Sequence, residues 1–423
     1  MKKDFICIKE SKNLKPLKSL LEDCELFDKE TKISQDAELD CFLVPLNDKF
    51  SSSDLNNLID TVGAQFPGIY LQIISKDIKT SSITLSQKIF DILVQHGLEE
   101  LLVDQLVEKL PKRCSIYPPL LLLSSNTLNT EIWQSALSKL SDELRTKLFC
   151  LLLDHYSTSK VRLTHLAVNN PIPESNNEIR SPTQLIILYG DFTDFWCHTV
   201  QNGIYQTWMP SHTMFSRGNI KEKARILSSY EDISDSIDIV DMYAGIGYFT
   251  LSYLKRGARR LFCWEINPYS VEGLVKGIDK NGFGPAYVIQ SGQQINLKKV
   301  VESRCIIFLE SNENSTERFK ELIAQENNEL KLNLNISHIN LGLLPKSTDS
   351  WKYACEIVDC YGANASWIHV HENVGVLDLD TYMENTAKRL QCMSKKSIYP
   401  VRLEKVKTFA PDVYHIVGDF KFV

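Results

Sequence analysis

The chain has 423 residues and a formal net charge of −6 at pH 7, and this length predicts two or three domains because domains usually hold roughly 100 to 200 residues. Hydrophobic residues make up 43% of the sequence and charged residues 24%, which excludes wholesale disorder and fibrous architectures. The acidic balance argues against a surface coated in nucleic acid, although a local basic groove is compatible with it.

The eleven cysteines are scattered and include no CxxC pair. The nearest two, Cys355 and Cys360, match no common metal-ligand spacing, so we expect reduced thiols and a cytoplasmic location. Asp4 interrupts the apolar stretch that a secretory signal requires. The most apolar runs, 118–123 and 148–153, are shorter than the roughly 20 residues of a membrane-spanning helix. The sequence therefore predicts no membrane segment.

The first 110 residues predict an accessory region. Residues 1–84 alternate short apolar stretches with polar breaks, which indicates a small α/β region. Residues 85–110 carry apolar side chains at helical spacing and are followed by Pro111, which predicts one or two packed helices.

Residues 111–200 predict a second α/β region. Apolar residues recur every three or four positions from about Glu131 to Tyr156, so we expect a helical stretch with its apolar face in the core. Residues 169–177 are dense in turn-forming residues and predict a surface loop. A third region then covers residues 201–423.

A glycine-containing turn follows a short apolar run in this third region. The run, 237–242, is typical of a central strand in a parallel sheet, and the segment 241–250 reads Asp-Met-Tyr-Ala-Gly-Ile-Gly-Tyr-Phe-Thr. Gly245 and Gly247 allow a tight turn and close approach to a ligand, and the next helix presents unpaired N–H groups. The candidate cofactor-binding residues of this turn are Asp241, Tyr243, Gly245 and Gly247.

The next predicted strand, 260–265, ends at Glu265. This acid follows the glycines at about the spacing seen where a carboxylate binds ribose hydroxyls in a βαβ unit. A dinucleotide site requires a further glycine where Thr250 stands, so the pattern favours S-adenosylmethionine over NAD. Together the elements predict an α/β protein with a C-terminal class I methyltransferase-like Rossmann fold, preceded by smaller α/β and helical regions. We expect seven strands, most of them parallel.

Ser216 and Lys223 form a candidate carboxylate site upstream of the glycines. Asn219 and Glu222 have the spacing of a capping box, which places Ser216 just outside the positive end of a helix. The methionine end of S-adenosylmethionine carries a carboxylate, and Lys223 adds a compact positive charge. An exposed, well-capped charged helix is the competing interpretation.

Two glutamines follow the third predicted strand, 286–290. Gln293 and Gln294 are able to donate and accept hydrogen bonds, which suits the adenine amino group, although a plain surface turn is the alternative. At the end of the fourth predicted strand, 340–345 lacks the Asn/Asp-Pro-Pro-aromatic motif of amino-group methyltransferases.

The predicted strand 367–373 places His369 and His371 on one face because side chains alternate along a strand. Two imidazoles suggest a metal site, but no third ligand has suitable spacing. We therefore predict no metal, and expect a packed or substrate-facing strand end.

Six segments of the chain beyond about residue 160 match one family. The chain resembles the tRNA wybutosine-synthesizing protein 2 family, aminocarboxypropyl transferases that are related to the tRNA guanine-N1 methyltransferases. The segments are 165–172, 188–192, 214–223, 241–250, 340–345 and 369–374.

The resemblance implies transfer of the 3-amino-3-carboxypropyl group of S-adenosylmethionine to carbon 7 of 4-demethylwyosine, the modified guanosine beside the anticodon of phenylalanine tRNA. Methylthioadenosine is then the released product. It also implies that Ser216, Lys223 and Glu265 bind the cofactor, whereas Gln293 and Gln294 replace an acidic residue and an asparagine.

The resemblance also implies a division of labour. Residues 201–423 are expected to form the transferase domain and residues 111–200 to assist tRNA binding, with no obligate protein partner. One alternative is a tRNA guanine-N1 methyltransferase acting on the same nucleotide. Another is a non-catalytic tRNA-binding protein, against which the intact Gly245, Gly247 and Glu265 count. No proton acceptor is evident, and His212 is only a weak candidate.

Overall fold

The computed structural model describes residues 2–29, 31–36, 39–47, 72–77, 84–111, 113–169, 185–326 and 331–423. The chain forms two compact units, Met1–Glu100 and Leu101–Val423. The predicted borders after residues 110 and 200 stay predictions, and the second of them falls inside the strand Cys197–Gln201. Most of the predicted loop 169–177 lies outside the described residues.

The first unit contains an antiparallel sheet with the strand order β2-β3-β1-β4. Helix α1 contributes Leu17 and Leu21 to a core with Ile6 and Val44 from the sheet. The elements are β1 (Lys2–Ile8), α1 (Leu14–Asp23), β2 (Ser34–Asp36), β3 (Cys41–Pro45), β4 (Gln72–Asp77) and α2 (Leu85–Gln95).

One cysteine prediction is wrong. Cys7 on β1 and Cys41 on β3 form a disulfide with a Cα–Cα distance of 5.8 Å, while the other nine cysteines are free. The two are 34 residues apart in sequence, so their spacing gave no signal, and only the pairing of β1 with β3 brings them together.

The second unit begins with helices and a small mixed sheet of order β5-β6-β7-β8. The predicted helical stretch 131–156 is two helices, because Ser141 caps a new helix by accepting a hydrogen bond from Leu144 N. Trp133 is fully buried, as predicted for a core face. The elements are α3 (Glu100–Glu108), β5 (Cys114–Tyr117), β6 (Leu120–Leu123), α4 (Glu131–Lys139), α5 (Asp142–Tyr156), β7 (His165–Val168) and β8 (Ile186–Tyr189).

The largest sheet has the order β13-β14-β12-β11-β15-β16-β18-β17. The first six strands in this order, β13, β14, β12, β11, β15 and β16, run parallel to one another. The last two, β18 and β17, complete the sheet as an antiparallel hairpin. The described part of this sheet has one strand more than the predicted seven. The strands are β11 (Asp238–Asp241), β12 (Arg260–Glu265), β13 (Ala286–Gln290), β14 (Cys305–Leu309), β15 (Ile336–Leu341), β16 (Gly362–Gly375), β17 (Ile398–Ala410) and β18 (Val413–Phe422).

Helices flank this sheet and bury its central strands. All four residues of β11 are buried, as expected for a parallel strand covered on both faces. No helix in the described part of the chain is long and apolar enough to cross a bilayer. The helices are α6 (Ile220–Ser229), α7 (Thr250–Arg256), α8 (Pro268–Lys280), α9 (Leu297–Glu302), α10 (Ser315–Ala324), α11 (Trp351–Tyr361) and α12 (Leu379–Gln391).

A two-stranded hairpin, β9 (Cys197–Gln201) and β10 (Ile204–Trp208), packs directly on α8. The contact is close because α8 presents glycine to the strand: a Cβ on Gly273 would lie 2.8 Å from the carbonyl oxygen of Thr207. Asn281, at the end of α8, donates to the carbonyl oxygen of Tyr205 at 2.7 Å and accepts from its N–H at 2.9 Å.

Candidate functional site

The predicted glycine turn lies between β11 and α7, at the carboxyl end of the parallel sheet. Gly245 and Gly247 have φ values of +55° and +86°, which side chains rarely adopt. A Cβ on Gly247 would also lie 2.7 Å from a methyl carbon of Leu274. The two glycines are therefore required by both backbone conformation and space.

Glu265, at the end of β12, lies beside this turn. One carboxylate oxygen accepts a hydrogen bond from Gly245 N at 2.8 Å, and the other accepts from Asn267 N at 2.8 Å. Burial raises the pKa of Glu265, while these N–H groups oppose the rise. Each oxygen of a carboxylate can accept a second hydrogen bond, so Glu265 retains the capacity to bind ribose hydroxyls.

Asp241 lies beneath the turn rather than in it. Its side chain has no exposed surface, and its carboxylate accepts from Thr250 Oγ1 at 2.7 Å and from Asn340 Nδ2 at 3.0 Å. Burial raises its pKa. The described contacts of Asp241 therefore support the glycine turn from below, and its predicted direct contact with the cofactor stays a prediction.

Tyr248 joins the glycine turn to the upstream segment 214–218. Its hydroxyl donates to the carbonyl oxygen of Met214 and accepts from Ser216 N. We did not predict a role for Tyr248, although its position directly after Gly247 was a usable signal. This bridge brings Ser216 to the edge of the glycine turn.

Lys223, on the first turns of α6, lies next to the same bridge. It is only 2% exposed, and its Nζ donates to the amide oxygens of Gln206 at 2.5 Å and Gln201 at 2.9 Å. Burial lowers its pKa to about 7. The amide nitrogen of Gln206 donates to the carbonyl oxygen of Gly247, so the glutamine, which we did not predict, links this lysine to the turn.

The charge around Lys223 is unusual. Among the ion pairs of the described residues, none joins Lys223 to a carboxylate, and the rings of Phe215 and Tyr248 lie 5.2 and 5.4 Å from its Nζ. A buried ammonium without an acid is costly unless a ligand supplies the negative charge. Lys223 therefore fits a carboxylate-binding role.

The predicted capping box does not form its side-chain hydrogen bonds. Asn219 does occupy the N-cap position of α6, but its side chain makes no capping hydrogen bond. Glu222 is buried and pairs with Arg225 instead of reaching back to the helix start. Ser216 precedes the single turn Arg217–Asn219, and therefore lies outside the helix start as expected.

Gln293 and Gln294 are not brought to this site. They follow β13, and β14 lies between β13 and β12 in the sheet. The Gln293 side chain accepts from Gln290 N within its own turn. Asn312, after β14, donates to the carbonyl oxygen of Met242 at 2.8 Å. Since β14 is the neighbour of β12, the turn containing Asn312 takes the place that we predicted for the two glutamines.

Tyr243 completes the group around the turn. It is half-buried, and burial raises the pKa of its hydroxyl, opposed by hydrogen bonds with Ser350 and Asn312. Tyr243 and Asn312 thus lie side by side next to the glycine turn. Sequence spacing could not reveal this pairing because β14 had not been predicted as a strand.

His369 and His371 are packed under the site, as one of our two interpretations expected. His369 contacts His338 and Asp419, and His371 contacts His415 and Asn340. Burial lowers the pKa of His369 and His371. Over the described ranges, no group of three or more His, Cys, Asp or Glu side chains is arranged to hold a metal ion.

Comparisons with known proteins place this site in a family. The model of the TRM5/TYW2 methyltransferase domain matches residues 198–308, which include the glycine turn and Glu265. The tRNA wybutosine-synthesizing protein 2 of Schizosaccharomyces pombe is 39% identical over 402 residues, covering 90% of this chain and 88% of the relative. The chain belongs to the tRNA wybutosine-synthesizing protein 2 family.

Other comparisons agree with this membership. The Saccharomyces cerevisiae tRNA wybutosine-synthesizing protein 2 is 37% identical, covering 81% of this chain and 80% of the relative. A crystal structure of P. horikoshii TYW2 in complex with MeSAdo shares the fold, with a TM-score of 0.53, 20% identity, and coverage of 80% of this chain and 98% of that chain. The predicted family and the Rossmann-like fold are confirmed, and the chain is an S-adenosylmethionine-dependent transferase.

The residues present fit S-adenosylmethionine. Glu265 offers free acceptor capacity for the ribose, Gly245 and Gly247 leave room for close approach, and Lys223 offers an unpaired buried cation. The N–H of Ser216 reaches the same turn by donating to the hydroxyl of Tyr248. Glu265 accepts from Gly245 N, and Lys223 is linked through Gln206 to the carbonyl of Gly247, so an acid and a cation both contact the glycine turn.

Proposed function

We propose that this protein transfers the 3-amino-3-carboxypropyl group of S-adenosylmethionine to carbon 7 of 4-demethylwyosine, next to the anticodon of phenylalanine tRNA, and releases methylthioadenosine. The observation that carries the proposal is that the buried Lys223, which has no carboxylate among its described ion pairs, and Glu265 are both linked to the glycine turn. The names of the relatives supply the reaction's setting in wybutosine synthesis.

The group that is transferred depends on the orientation of the donor in the site. The sulfonium of the donor activates three carbons for attack, so the transferred group is the one whose carbon lies in line with the acceptor. In this site Glu265 and Lys223 hold the two ends of the donor and thereby fix its rotation about the sulfur. We infer that the methyl group is buried and that the γ-carbon faces the acceptor.

Asp241 and Asn340 support this arrangement from below. Their hydrogen bond of 3.0 Å joins the end of β11 to the end of β15, and the carbonyl of Asn340 accepts from Met242 N at 3.0 Å. These contacts hold the glycine turn in place without touching a ligand. The turn is therefore preformed, which lowers the entropy lost on donor binding.

His212 remains our candidate for the group that takes the proton from the acceptor ring. Its ring stacks on Tyr269 with centroids 3.8 Å apart, and its carbonyl accepts from Asn267 Nδ2 at 3.0 Å, so it contacts the segment that follows Glu265. His212→Ala with unchanged turnover would remove it from consideration.

The acceptor is tRNA. We propose phenylalanine tRNA in particular, a role for residues 111–200 in binding it, and no obligate protein partner. We also infer a cytoplasmic location. The proposed division into residues 1–110, 111–200 and 201–423 is tested by measuring tRNA affinity of matching fragments.

The deciding experiment is product identification. The protein is incubated with S-adenosylmethionine and tRNA carrying 4-demethylwyosine, and the small-molecule product is identified by mass spectrometry. We expect methylthioadenosine and a tRNA mass increase equal to one aminocarboxypropyl group. Release of S-adenosylhomocysteine would instead indicate a tRNA methyltransferase, and release of neither would indicate a tRNA-binding protein without activity on this substrate.

A further inference from the structure

Lys407 on β17 contacts the candidate donor site at Ser216. Its Nζ lies 3.4 Å from the hydroxyl oxygen of Ser216 and donates to it. The backbone N–H of Ser216 donates to the hydroxyl of Tyr248. Two lysines therefore contact this part of the site: Lys223 lies against the rings of Phe215 and Tyr248, and Lys407 lies against Ser216.

Gly218 makes room for Lys407. A Cβ on Gly218 would lie 2.5 Å from Cδ and 2.6 Å from Nζ of Lys407, closer than any real contact. The φ of Gly218 is not positive, so space rather than backbone conformation accounts for the glycine. An alanine at position 218 would therefore force the end of the Lys407 side chain to move.

Lys407 has no acidic partner among the ion pairs of the described residues. It is half-buried, and burial lowers its pKa. Glu404, the acid on the same strand, pairs with Lys221 and Arg402. Among its described contacts, the partly buried Lys407 ammonium has a serine hydroxyl but no acid, so its charge favours binding of a ligand anion.

The group across the strand from Lys407 supplies no negative charge. His415 on β18 is its partner in the sheet register, and burial together with Lys407 lowers the pKa of His415 to about 4. His415 is therefore neutral at physiological pH.

The hydrogen-bond chain behind His415 fixes its tautomer. The Asp241 carboxylate accepts from Asn340 Nδ2, so the Asn340 oxygen must accept from His371 Nε2 at 3.1 Å. His371 Nδ1 is then a bare acceptor for His415 Nε2 at 3.1 Å. The remaining Nδ1 of His415 carries no proton, and it has no hydrogen-bond partner.

We propose that Lys407 is a second donor-anchoring residue, which binds the carboxylate of S-adenosylmethionine together with Lys223. Both lysines lie against the segment 214–218, and a carboxylate has two oxygens to accept from them. A second anchor on that end restricts rotation of the methionine chain, which aminocarboxypropyl transfer demands more strictly than methyl transfer does.

An RNA phosphate is the alternative oxyanion ligand for Lys407. The geometry favours the carboxylate because Lys407 is half-buried against Ser216, a residue that the family resemblance assigns to the donor. Exposed basic residues on the same strand, Arg402 and Lys405, are better placed to face a polyanion. The inference rests on the proposed function only in requiring that the protein binds this donor.

The test compares two ligands that differ in the carboxylate. S-adenosylhomocysteine carries it, whereas methylthioadenosine lacks the amino-acid end. We expect Lys407→Met to weaken S-adenosylhomocysteine binding about tenfold or more, as is typical when a charged hydrogen bond is lost, and to leave methylthioadenosine binding unchanged by calorimetry. Methionine keeps the stem that packs on Gly218.

Two further variants make the test specific. Lys405→Met, on the same strand but exposed, should leave both affinities unchanged. Gly218→Ala should displace the end of Lys407 and weaken S-adenosylhomocysteine selectively, as Lys407→Met does.

Three outcomes would overturn the proposal. Equal weakening of both ligands by Lys407→Met would indicate a structural role. In the second outcome, Lys407→Met leaves S-adenosylhomocysteine binding unchanged but lowers, by about one, the slope of log affinity for tRNA against log salt concentration. This result would show that Lys407 binds a phosphate. Wild-type protein that binds neither ligand would remove both this inference and the proposed function, whereas a wild-type product of S-adenosylhomocysteine would remove only the latter.

Discussion

Lys223 combines a buried ammonium with a pKa near neutrality, and this makes donor binding pH-dependent. Its pKa of about 7 belongs to the protein without a bound anion. A carboxylate beside Lys223 favours the charged form and raises that pKa. Between the two pKa values, ligand binding must therefore take up a proton.

We predict proton uptake on binding S-adenosylhomocysteine near pH 8, and little uptake below pH 6, where Lys223 is already charged. Affinity should fall as the pH rises above about 7. Calorimetry in two buffers with different ionisation enthalpies measures the uptake. Methylthioadenosine should bind without it, and Lys223→Met should remove most of it, since burial also lowers the pKa of Lys407; uptake equal to that of the wild type in this variant would assign the proton to a group other than Lys223.

Glu265 should affect every adenosine-containing ligand. Glu265→Gln places an amide NH2 against the N–H of Gly245 or Asn267, which now donate to the two carboxylate oxygens. We expect both S-adenosylhomocysteine and methylthioadenosine to bind at least about tenfold more weakly, since a charged hydrogen-bond partner is lost and a donor is left unpaired.

The control for this variant is Glu272→Gln, an exposed acid on α8 that pairs with Lys276. Both affinities should stay at the wild-type level there. Loss of only one ligand in Glu265→Gln would contradict a ribose role for Glu265.

Much of the site could be predicted from the residue types in the sequence alone. Ser216, Lys223 and Glu265 were predicted from a helix start, a charge and a strand end, and the structure brings them to one turn. The sequence did not reveal that Asp241 is fully buried or that Gln293 lies one strand too far away, because burial and strand order depend on contacts between distant segments.

At the scale of elements, a buried ion cluster fastens α6 to β18. Arg225 on α6 donates to Glu222 at 2.7 Å and to Asp419 on β18, and all three side chains are buried. Because Lys223 lies on the same helix, this cluster also fixes the donor-binding lysine relative to the sheet.

Arg225→Met should destabilise the second unit by about 3–5 kcal/mol, since it leaves two buried carboxylates without their cation. Urea denaturation followed by fluorescence measures the change in midpoint. Arg402→Met, which removes an exposed pair with Glu404, should cost about 0–1 kcal/mol. Comparable decreases in the free energy of unfolding in the two variants would show that the buried cluster stabilises the protein no more than the pair of Arg402 and Glu404 does.

Element prediction succeeded where the pattern was local. The strands at Asp238–Asp241, Arg260–Glu265 and Ala286–Gln290 follow the predicted runs. The break between α4 and α5 was missed because one apolar period continues across Ser141. Strand β14 was missed as well, and its insertion beside β12 is a matter of tertiary pairing that periodicity does not encode.

At the scale of the molecule, every candidate donor-binding residue lies in the second unit, Leu101–Val423. We predict that a fragment beginning at Leu98, which keeps helix α3 whole, binds S-adenosylhomocysteine with the affinity of the full chain. Calorimetry on both proteins checks this, and circular dichroism verifies that the fragment is folded. Loss of binding by a folded fragment would show that the first unit contributes to the donor site.

The close contact between α8 and β10 has a consequence for the dimensions of the site. Glu265 immediately precedes α8, and Gln206 on β10 holds Lys223. The glycine at position 273 lets the helix approach the carbonyl oxygen of Thr207 on the strand. A larger residue at position 273 is therefore expected to push β10 away from α8, and Gln206 with its hold on Lys223 would move with the strand.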